Sequence, residues 1–316
     1  MMLKLRTEID RTPLRQLIGC REGVLLLGSC FTENIGGWMA DHWLPVMSNP
    51  WGVLFNPASI ADSLQRILSP NGVSSFELHE QGGRFFSFAH HGKWSGTEAE
   101  TLQHQLIALD AEVRNFWSKT RHLFITLGTS WVYEREGRVV ANCHKFPAEN
   151  FTRRRLSVEE IVDLWCPIIE AAPDKHFIFT VSPIRHVKEG LHGNQLSKGI
   201  LLLAIDALQE RFAEQVEYLP VYELLMDDLR DYRFYADDLV HPSTLAIEAV
   251  KELVIDCCFS SQTKQYIKEA MPIVKALQHR PTDPESTEYK QFLQNTLQYK
   301  DALLAKYGLA STYFEP

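Results

Sequence analysis

Short apolar runs recur along this chain, and each is followed by a longer stretch in which apolar residues stand three or four positions apart. Runs of four or five such residues are typical of buried strands, and they occupy positions 24–27, 123–127 and 177–181, with a last strand expected at 216–219. The stretches between them have the spacing of amphipathic helices. This alternation predicts an α/β fold with a doubly wound parallel sheet under helices on both faces, and we expect 24–27 to be its central strand.

Two segments alternate between apolar and polar residues around a tight turn, which predicts β-hairpins inserted into the α/β pattern. The first spans residues 82–94 and the second residues 131–142. His90 and His91 in the first hairpin either contact a substrate or are surface turn residues. We do not expect them to form a metal site, because two adjacent histidines do not easily face one metal. The basic run at 153–155 is expected to be a solvated face.

The last part of the chain, residues 260–316, contains no strand signal and predicts two helices separated at Pro281 and Pro284. We therefore expect an α/β domain over residues 1–259 and a helical extension over residues 260–316. These helices pack on the body of the α/β domain or on a second copy of the chain, and the second arrangement would make the protein a homo-oligomer.

Composition narrows the class of protein. With 316 residues, 45% hydrophobic and 23% charged, the chain has the make-up of an ordinary globular protein. A formal net charge of −8 makes nucleic acids and anionic membranes unfavourable partners. No apolar segment has transmembrane length and no apolar run follows the charged start at Lys4 and Arg6, so we expect neither a membrane partner nor a signal peptide.

The six cysteines have neither the spacing of a metal site nor that of a regular disulfide framework. Free thiols are typical of a reducing compartment. We therefore expect a cytoplasmic protein that uses no metal and no other cofactor.

A candidate nucleophile stands directly after the first strand. Gly28 and Ser29 follow the apolar run 24–27, and the next residues have helical spacing. A serine at such a strand–helix turn lies at the carboxyl edge of a parallel sheet, where open α/β folds place their chemistry. Two other interpretations remain open: Ser29 or Thr32 only caps the helix, or the neighbouring Cys30 is the nucleophile.

A candidate base and its orienting acid stand together late in the chain. Asp238 and His241 are three residues apart in a segment that Pro242 interrupts before a new helix. In a turn, this spacing lets the carboxylate accept the Nδ1–H of the imidazole, which leaves the other ring nitrogen free to take a proton from a serine. Asp237 lacks that spacing and is expected to be a helix cap or a structural partner.

Several stretches of the chain occur in the order and with the residues of a known family. They are Gly28-Ser29-Cys30-Phe31-Thr32-Glu33-Asn34-Ile35-Gly36, Asn49-Pro50-Trp51-Gly52-Val53-Leu54-Phe55-Asn56-Pro57, Leu127-Gly128-Thr129-Ser130-Trp131-Val132-Tyr133-Glu134, Ala141-Asn142-Cys143-His144-Lys145, Val181-Ser182-Pro183-Ile184-Arg185-His186 and Asp228-Leu229-Arg230-Asp231-Tyr232-Arg233-Phe234-Tyr235. From about residue 20 to about residue 255 the chain resembles the GSCFA-domain family, which is related to the SGNH/GDSL hydrolases. The resemblance implies a three-layer sandwich of the SGNH-hydrolase or flavodoxin-like type.

The resemblance also implies roles for individual residues. It makes Ser29, Asp238 and His241 a catalytic triad. The oxyanion hole of the superfamily uses the N–H of the serine, the N–H of a glycine after the second strand and an asparagine side chain after the third. Gly52 lies in the loop of the second donor, with Asn56 in reserve.

The third donor departs from the superfamily pattern. Ser130 stands where the asparagine is expected, and it is either a shorter donor or only a turn residue. Asn142, His144 or the Trp131 indole N–H are the other candidates for this donor.

Further polar residues follow strands or hairpins at the same edge of the sheet and are expected to bind substrate. They are Asn56, Asn142, His144, Arg185 and His186. Arg185 either binds a carboxylate or phosphate group or pairs with one of the acidic residues of the chain.

Two functions are compatible with these residues. The first is a serine esterase or acyl transferase that acts on O-acyl esters, among them O-acetyl groups on carbohydrates, with a small-molecule or glycan ester as substrate. The second is a binding module for a carbohydrate or another ligand, inactive because its oxyanion hole has changed. The presence of all three triad residues favours the enzyme.

Overall fold

A computed structural model describes residues 6–309 of the chain, without the side chain of Cys30. The start of the chain at residues 1–5, including Lys4, lies outside this part. The strands are β1 Gly23–Gly28, β2 Val46–Ser48, β3 His79–Gln81, β4 Arg84–Phe86, β5 Ser95–Gly96, β6 Thr120–Leu127, β7 Trp131–Arg135, β8 Arg138–Val140, β9 Thr152–Arg155, β10 His176–Val181 and β11 Val216–Tyr218. The helices are α1 Cys30–Asp41, α2 Pro57–Leu68, α3 Ala99–Lys119, α4 Val158–Glu170, α5 Gly190–Arg211, the single turn α6 Val221–Glu223, α7 Thr244–Cys258, α8 Ser261–Leu277 and α9 Thr287–Tyr307.

The main sheet is parallel and has the strand order β11-β10-β6-β1-β2, which confirms the predicted α/β class. The expectation that 24–27 forms the central strand is wrong, because β6 occupies the centre and β1 is next to the short edge strand β2. β6 is eight residues long, and all of them except Arg121 are buried. The order of strands in a sheet depends on the path that each connection takes from one strand to the next. The apolar pattern of a single strand gives no information about that path.

Helices cover both faces of the sheet, so successive residues of each strand enter two different cores. Leu26, Phe124 and Ile178 face one core, which also contains Tyr266 of α8 and Leu304 of α9. The neighbouring residues of the same strands face a second core built with α2, α4 and α5. The Tyr266 hydroxyl donates a 2.6 Å hydrogen bond to the carbonyl of His42, so the C-terminal helices share the core of the α/β part.

The hairpin predicted over residues 131–142 is present as β7 and β8, and β9 adds a third strand to it. The segment 82–94 contains only β4, which pairs with β3 before it and with β5 after it, so this antiparallel sheet extends beyond the predicted hairpin on both sides. The basic run at 153–155 lies in the strand β9, which pairs with β7, and its three side chains are partly exposed. Arg154 also forms ion pairs with Glu134 at 2.8 Å and Glu160 at 2.6 Å. Arg154 is thus neutralised by two carboxylates, one on β7 and one on α4.

His90 is not a surface turn residue, because its side chain is fully buried, whereas His91 is partly exposed. The His90 ring packs edge-on against Phe76 with 4.9 Å between ring centroids. Its carbonyl accepts the Nε2–H of His144 at 3.0 Å, and the Ser87 carbonyl accepts the same N–H at 3.0 Å. His144 therefore connects the segment around the first hairpin sheet to the loop that follows the second.

None of the helices within residues 6–309 is both long enough and apolar enough to cross a membrane.

Candidate active site

Ser29 lies at the sharp turn between β1 and α1, at the carboxyl edge of the sheet. The turn depends on Gly28, which has a φ of +138° and whose missing Cβ would collide with the carbonyl of Thr126. Only glycine combines this backbone conformation with so close an approach of the neighbouring strand. The local sequence therefore fixes the position at which the Ser29 side chain leaves the sheet.

The Ser29 hydroxyl does not cap the helix. Ser29 is the N-cap residue of α1, but its side chain makes no capping hydrogen bond, and the residue is 2% exposed. The Oγ atoms of Ser29 and Thr32 are both buried and have no hydrogen-bond partner among the described residues. A buried hydroxyl without a partner costs about 1–3 kcal/mol, so helix capping does not explain why a serine stands here.

Asp238 and His241 meet in the turn that the sequence predicted for them. Asp238 Oδ2 accepts the Nδ1–H of His241 at 2.5 Å. Asp238 Oδ1 accepts the backbone N–H groups of His241 and Val240, each at 2.9 Å. These two amides, together with the ring N–H, lower the pKa of Asp238 to about 2, so it is a carboxylate at neutral pH.

The loop that holds this pair has a strained backbone. Leu239 has a φ of +58°, a conformation that a branched residue rarely adopts, and its side chain is 55% exposed. Its N–H donates to the Ala236 carbonyl at 2.9 Å, and the Ala236 N–H donates to the His241 carbonyl at 2.8 Å. The result is a compact loop in which the Nδ1–H of His241 is occupied and Nε2 is left to act as a base.

Ser29 and His241 share no hydrogen bond in the described part of the chain. The Ser29 Oγ is shielded from solvent, whereas the His241 side chain is 54% exposed. Hydrogen bonds between nucleophile and base often form or tighten only in the complex with substrate.

The donors that the resemblance assigned to the oxyanion hole are already engaged. The Ser29 N–H donates to the Thr126 carbonyl at 3.3 Å, and the Gly52 N–H donates to the Asn49 carbonyl at 2.8 Å. The Ser130 N–H and hydroxyl both donate to Ser197 Oγ, at 2.8 and 3.0 Å. All three therefore make bonds that hold the fold together.

The reserve candidate Asn56 is a helix cap. Its Oδ1 accepts the Ser59 N–H at 2.8 Å and its Nδ2 donates to Ser59 Oγ at 3.0 Å, which fixes the start of α2. The Asn142 side chain closes a local turn, because its Oδ1 accepts the His144 N–H at 2.7 Å. The His144 ring stacks on Phe86 with 4.3 Å between centroids, and burial lowers its pKa.

Arg185 and His186 follow β10 at the carboxyl edge of the sheet. The Arg185 guanidinium lies 5.7 Å from the ring centre of Tyr235 and makes no ion pair with any residue in 6–309, so the pairing expected as one alternative is not observed. Tyr235 pairs with Pro242 in the loop of His241, which places Arg185 beside that loop. Burial, with Lys198 and Arg153 nearby, lowers the pKa of His186 to about 4, so its ring is neutral.

Two buried polar residues at this edge were missed in the sequence. Lys198 is 1% exposed, and its Nζ donates to the carbonyls of Gly128 at 2.5 Å and Ser182 at 2.6 Å, which ties the ends of β6 and β10 together. Burial lowers its pKa to about 7. The sequence contains one signal of this buried residue: a lysine stands on the apolar face of α5, three residues before Leu201.

The second is Asn49, in the loop after β2. Its Oδ1 accepts the N–H of Gly28 at 2.9 Å, whereas its Nδ2 is buried without a partner in the described part of the chain. Its sequence context of asparagine, proline and glycine predicts only a loop.

A cleft of about 990 Å³ lies next to the second hairpin sheet, away from these residues. It is bordered by Arg66, Phe76, Arg135 and Glu160, and no triad residue lines it. Within residues 6–309 there is no group of three or more histidine, cysteine or acidic side chains placed to hold a metal ion.

Comparisons with known proteins agree with the motifs. The sequence profile of the GSCFA family matches residues 23–253, and that of the C-terminal domain of GSCFA domain proteins matches residues 270–310. A solved structure described as "a putative platelet activating factor from Streptococcus pneumonia" is 13% identical, covers 75% of this chain and 83% of its own, and has a TM-score of 0.38. No curated protein matches the chain.

Proposed function

This chain belongs to the GSCFA family, and we propose that it is a serine hydrolase that cleaves O-acyl esters with Ser29, His241 and Asp238. The observation that carries the proposal is the Asp238–His241 pair. A carboxylate whose two oxygens accept one ring N–H and two backbone N–H groups holds the imidazole in a single tautomer. A binding module has no need of such a device.

The proposed reaction has two halves. Ser29 Oγ attacks the acyl carbonyl, its proton moves to His241 Nε2, and the carbonyl electron pair moves onto oxygen. The tetrahedral intermediate collapses when the bond to the alcohol breaks and His241 returns the proton to the leaving oxygen. Water then attacks the acyl-serine and gives a proton to His241 Nε2; the bond between Ser29 Oγ and the acyl carbon breaks, and His241 returns the proton to Oγ as the acid leaves. An alcohol in place of water would make the protein an acyl transferase. Asp238 stabilises the imidazolium in both halves.

The reaction requires a change in the site, because Ser29 Oγ and His241 Nε2 share no hydrogen bond in the structure. It needs a movement of the loop that carries His241, or a new rotamer of Ser29, that brings the two atoms within hydrogen-bond distance. The backbone strain at Leu239 is consistent with a functional loop, since strained residues often occur in such segments.

Arg185 supports a polar ester as the substrate. Its guanidinium has no carboxylate partner in the described part of the chain and lies beside Tyr235, so it is available to a hydroxyl, carboxylate or phosphate group. We therefore propose small-molecule or glycan esters, with O-acetylated carbohydrates as the first class to test.

A specific observation favours the second candidate function, a non-catalytic ligand-binding module. The N–H groups of Ser29 and Gly52 and both donors of Ser130 are engaged in bonds within the protein. A serine hydrolase without free oxyanion donors would lose the largest electrostatic contribution to its rate.

Turnover of p-nitrophenyl acetate by the wild-type protein and Ser29→Ala distinguishes the two functions. The enzyme predicts activity that Ser29→Ala abolishes and a fluorophosphonate adduct that peptide mapping places on Ser29. Ser63→Ala is the matched control, because Ser63 is another fully buried serine and lies within α2. Equal turnover in Ser29→Ala and Ser63→Ala would refute the serine mechanism.

A further inference from the structure

Asn49 is held against the residue that precedes the candidate nucleophile. Its backbone N–H donates to the Leu26 carbonyl at 2.9 Å, and its side-chain Oδ1 accepts the Gly28 N–H at 2.9 Å. Asn49 thus extends the pairing of β2 with β1 up to the turn at Ser29. The Gly28 N–H can pair only with the amide oxygen, so the orientation of the amide is fixed.

The remaining donor of this amide has nothing to bind. Asn49 is 1% exposed and its Nδ2 has no acceptor within residues 6–309. Its carbonyl is also engaged, since it accepts the Gly52 N–H at 2.8 Å and the Lys93 ammonium at 3.2 Å. An amide anchored at its oxygen and its backbone, with a buried and unused N–H pair, is preorganised for an acceptor that comes from outside the chain.

We propose that Nδ2 of Asn49 donates a hydrogen bond to the oxyanion that forms when Ser29 attacks an ester, in place of the asparagine that this chain lacks after its third strand. The inference rests on the proposed hydrolase function. Asn49 transfers no proton: it stabilises the negative oxygen while the proton of Ser29 moves to His241. It is a catalytic residue in this role because it contacts the reacting atoms.

Other unused donors are less suited to this role. The indole N–H of Trp131 is also buried without a partner, but the Trp131 ring lies 4.6 Å below the Arg153 guanidinium in the hairpin sheet. No hydrogen bond in the described part of the chain connects it to the β1 turn. The hydroxyls of Thr32 and Thr126 are unpartnered too, but a hydroxyl rotates freely, whereas the Asn49 amide is fixed by its bond to Gly28.

The backbone conformation of Asn49 gives a reason for its residue type and guides the choice of variants. Its φ is +43°, which asparagine, aspartate and glycine adopt more readily than other residues. Asn49→Asp keeps the oxygen that the Gly28 N–H needs and replaces the donor with an acceptor. Asn49→Gly also tolerates this φ and adds no charge, but it removes the acceptor of the Gly28 N–H together with the donor.

The test compares kcat and KM for p-nitrophenyl acetate in these two variants, with folding checked by thermal unfolding. Loss of a donor that acts only in the transition state lowers kcat by about 10²–10³-fold and leaves KM nearly unchanged. Both variants should also lose affinity for phenylboronic acid, which forms a tetrahedral adduct with a reactive serine. A purely structural role for Asn49 would not separate kcat from KM in this way.

Asn194→Asp is the matched control, because Asn194 is 3% exposed and its Oδ1 also accepts a backbone N–H, that of His186, at 3.0 Å. It should retain wild-type kcat. If Asn49→Asp and Asn49→Gly fold and keep wild-type kcat while Ser29→Ala is inactive, the assignment of Asn49 is wrong and the hydrolase proposal stands. If Ser29→Ala is fully active, both proposals fail.

Discussion

The Nδ1 atoms of His122 and His176 lie 3.1 Å apart between the neighbouring strands β6 and β10, at the end of the sheet opposite to Ser29. His176 Nε2–H donates to Glu217 at 2.8 Å, so its Nδ1 carries no proton and accepts the Nδ1–H of His122. Both rings are buried and neutral, and Glu217 also accepts the backbone N–H of Arg15. Two imidazoles that share one proton cannot both be protonated without breaking this contact.

We expect this pair to make the protein less stable in mild acid. Burial lowers the pKa of both histidines. The pKa of His176 falls to about 4, and that of His122 falls below its usual value of about 6.5. Between pH ~6.5 and ~4 the unfolded chain binds more protons than the folded one, so the stability is complete above this window and falls as the pH drops through it.

Urea unfolding at pH 7.5 and pH 5 measures this loss of stability. His122→Gln removes one titrating group and keeps a donor for His176, so its free energy of unfolding should depend less on pH. His104→Gln is the control, because His104 is exposed. An equal pH dependence in the two variants would show that the pair does not titrate as described.

Ser29→Ala should stabilise the fold even as it abolishes ester turnover. The Ser29 hydroxyl is buried, caps no helix and has no partner among the described residues, so its removal relieves the cost of an unpaired polar group, about 1 kcal/mol. Thermal unfolding of the variant beside Ser63→Ala, whose lost hydroxyl donates to the Ser59 carbonyl at 3.0 Å, tests this prediction. A lower melting temperature for Ser29→Ala than for Ser63→Ala would contradict it.

Asp238→Asn should lower kcat for p-nitrophenyl acetate by about 10³–10⁴-fold, because an amide no longer stabilises the imidazolium and can favour the wrong tautomer of His241. KM should change little, since Asp238 contacts the imidazole and the loop backbone and not the substrate. Asp237→Asn is the control, because His241 makes its carboxylate hydrogen bonds to Asp238 and none to Asp237. A rate for Asp238→Asn within the range of Asp237→Asn would remove Asp238 from the mechanism.

Leu239→Asn should raise the free energy of unfolding by up to about 1 kcal/mol. Leu239 has a φ of +58° and is 55% exposed, so the left-handed backbone costs stability and little packing is lost when the side chain changes. Leu245→Asn, at an equally exposed site within α7, lacks this strain and should not gain stability. Chemical denaturation of both variants measures the difference.

The class of fold and the Asp238–His241 pair were predictable because their signals are local. An apolar run of four or five residues predicts a buried strand, and three-residue spacing in a turn suffices to bring a carboxylate to an imidazole. The complete order of the strands was not predictable in this way, because it depends on the connections between them. Nor was the strand β9, because nothing in the local sequence shows that Arg154 pairs with Glu134 and Glu160 or that Arg153 lies over Trp131.

The details of the oxyanion site were not predictable because they depend on partners far away in the chain. Ser130 is bound by Ser197, which stands 67 positions later, and Gly28 is bound by Asn49, which stands 21 positions later. A motif identifies the residue types that a reaction needs. It does not reveal which of their donors the fold has already used.

The shielding of Ser29 Oγ has a consequence for how the protein would meet reactive compounds. A nucleophile that solvent does not touch can be attacked only during the fraction of time in which its surroundings open. The rate of labelling by a fluorophosphonate would then rise with reagent concentration only until it equals the rate of opening, and a more reactive reagent would reach the same ceiling. The plateau would thus report a motion of the protein instead of the chemistry of the serine.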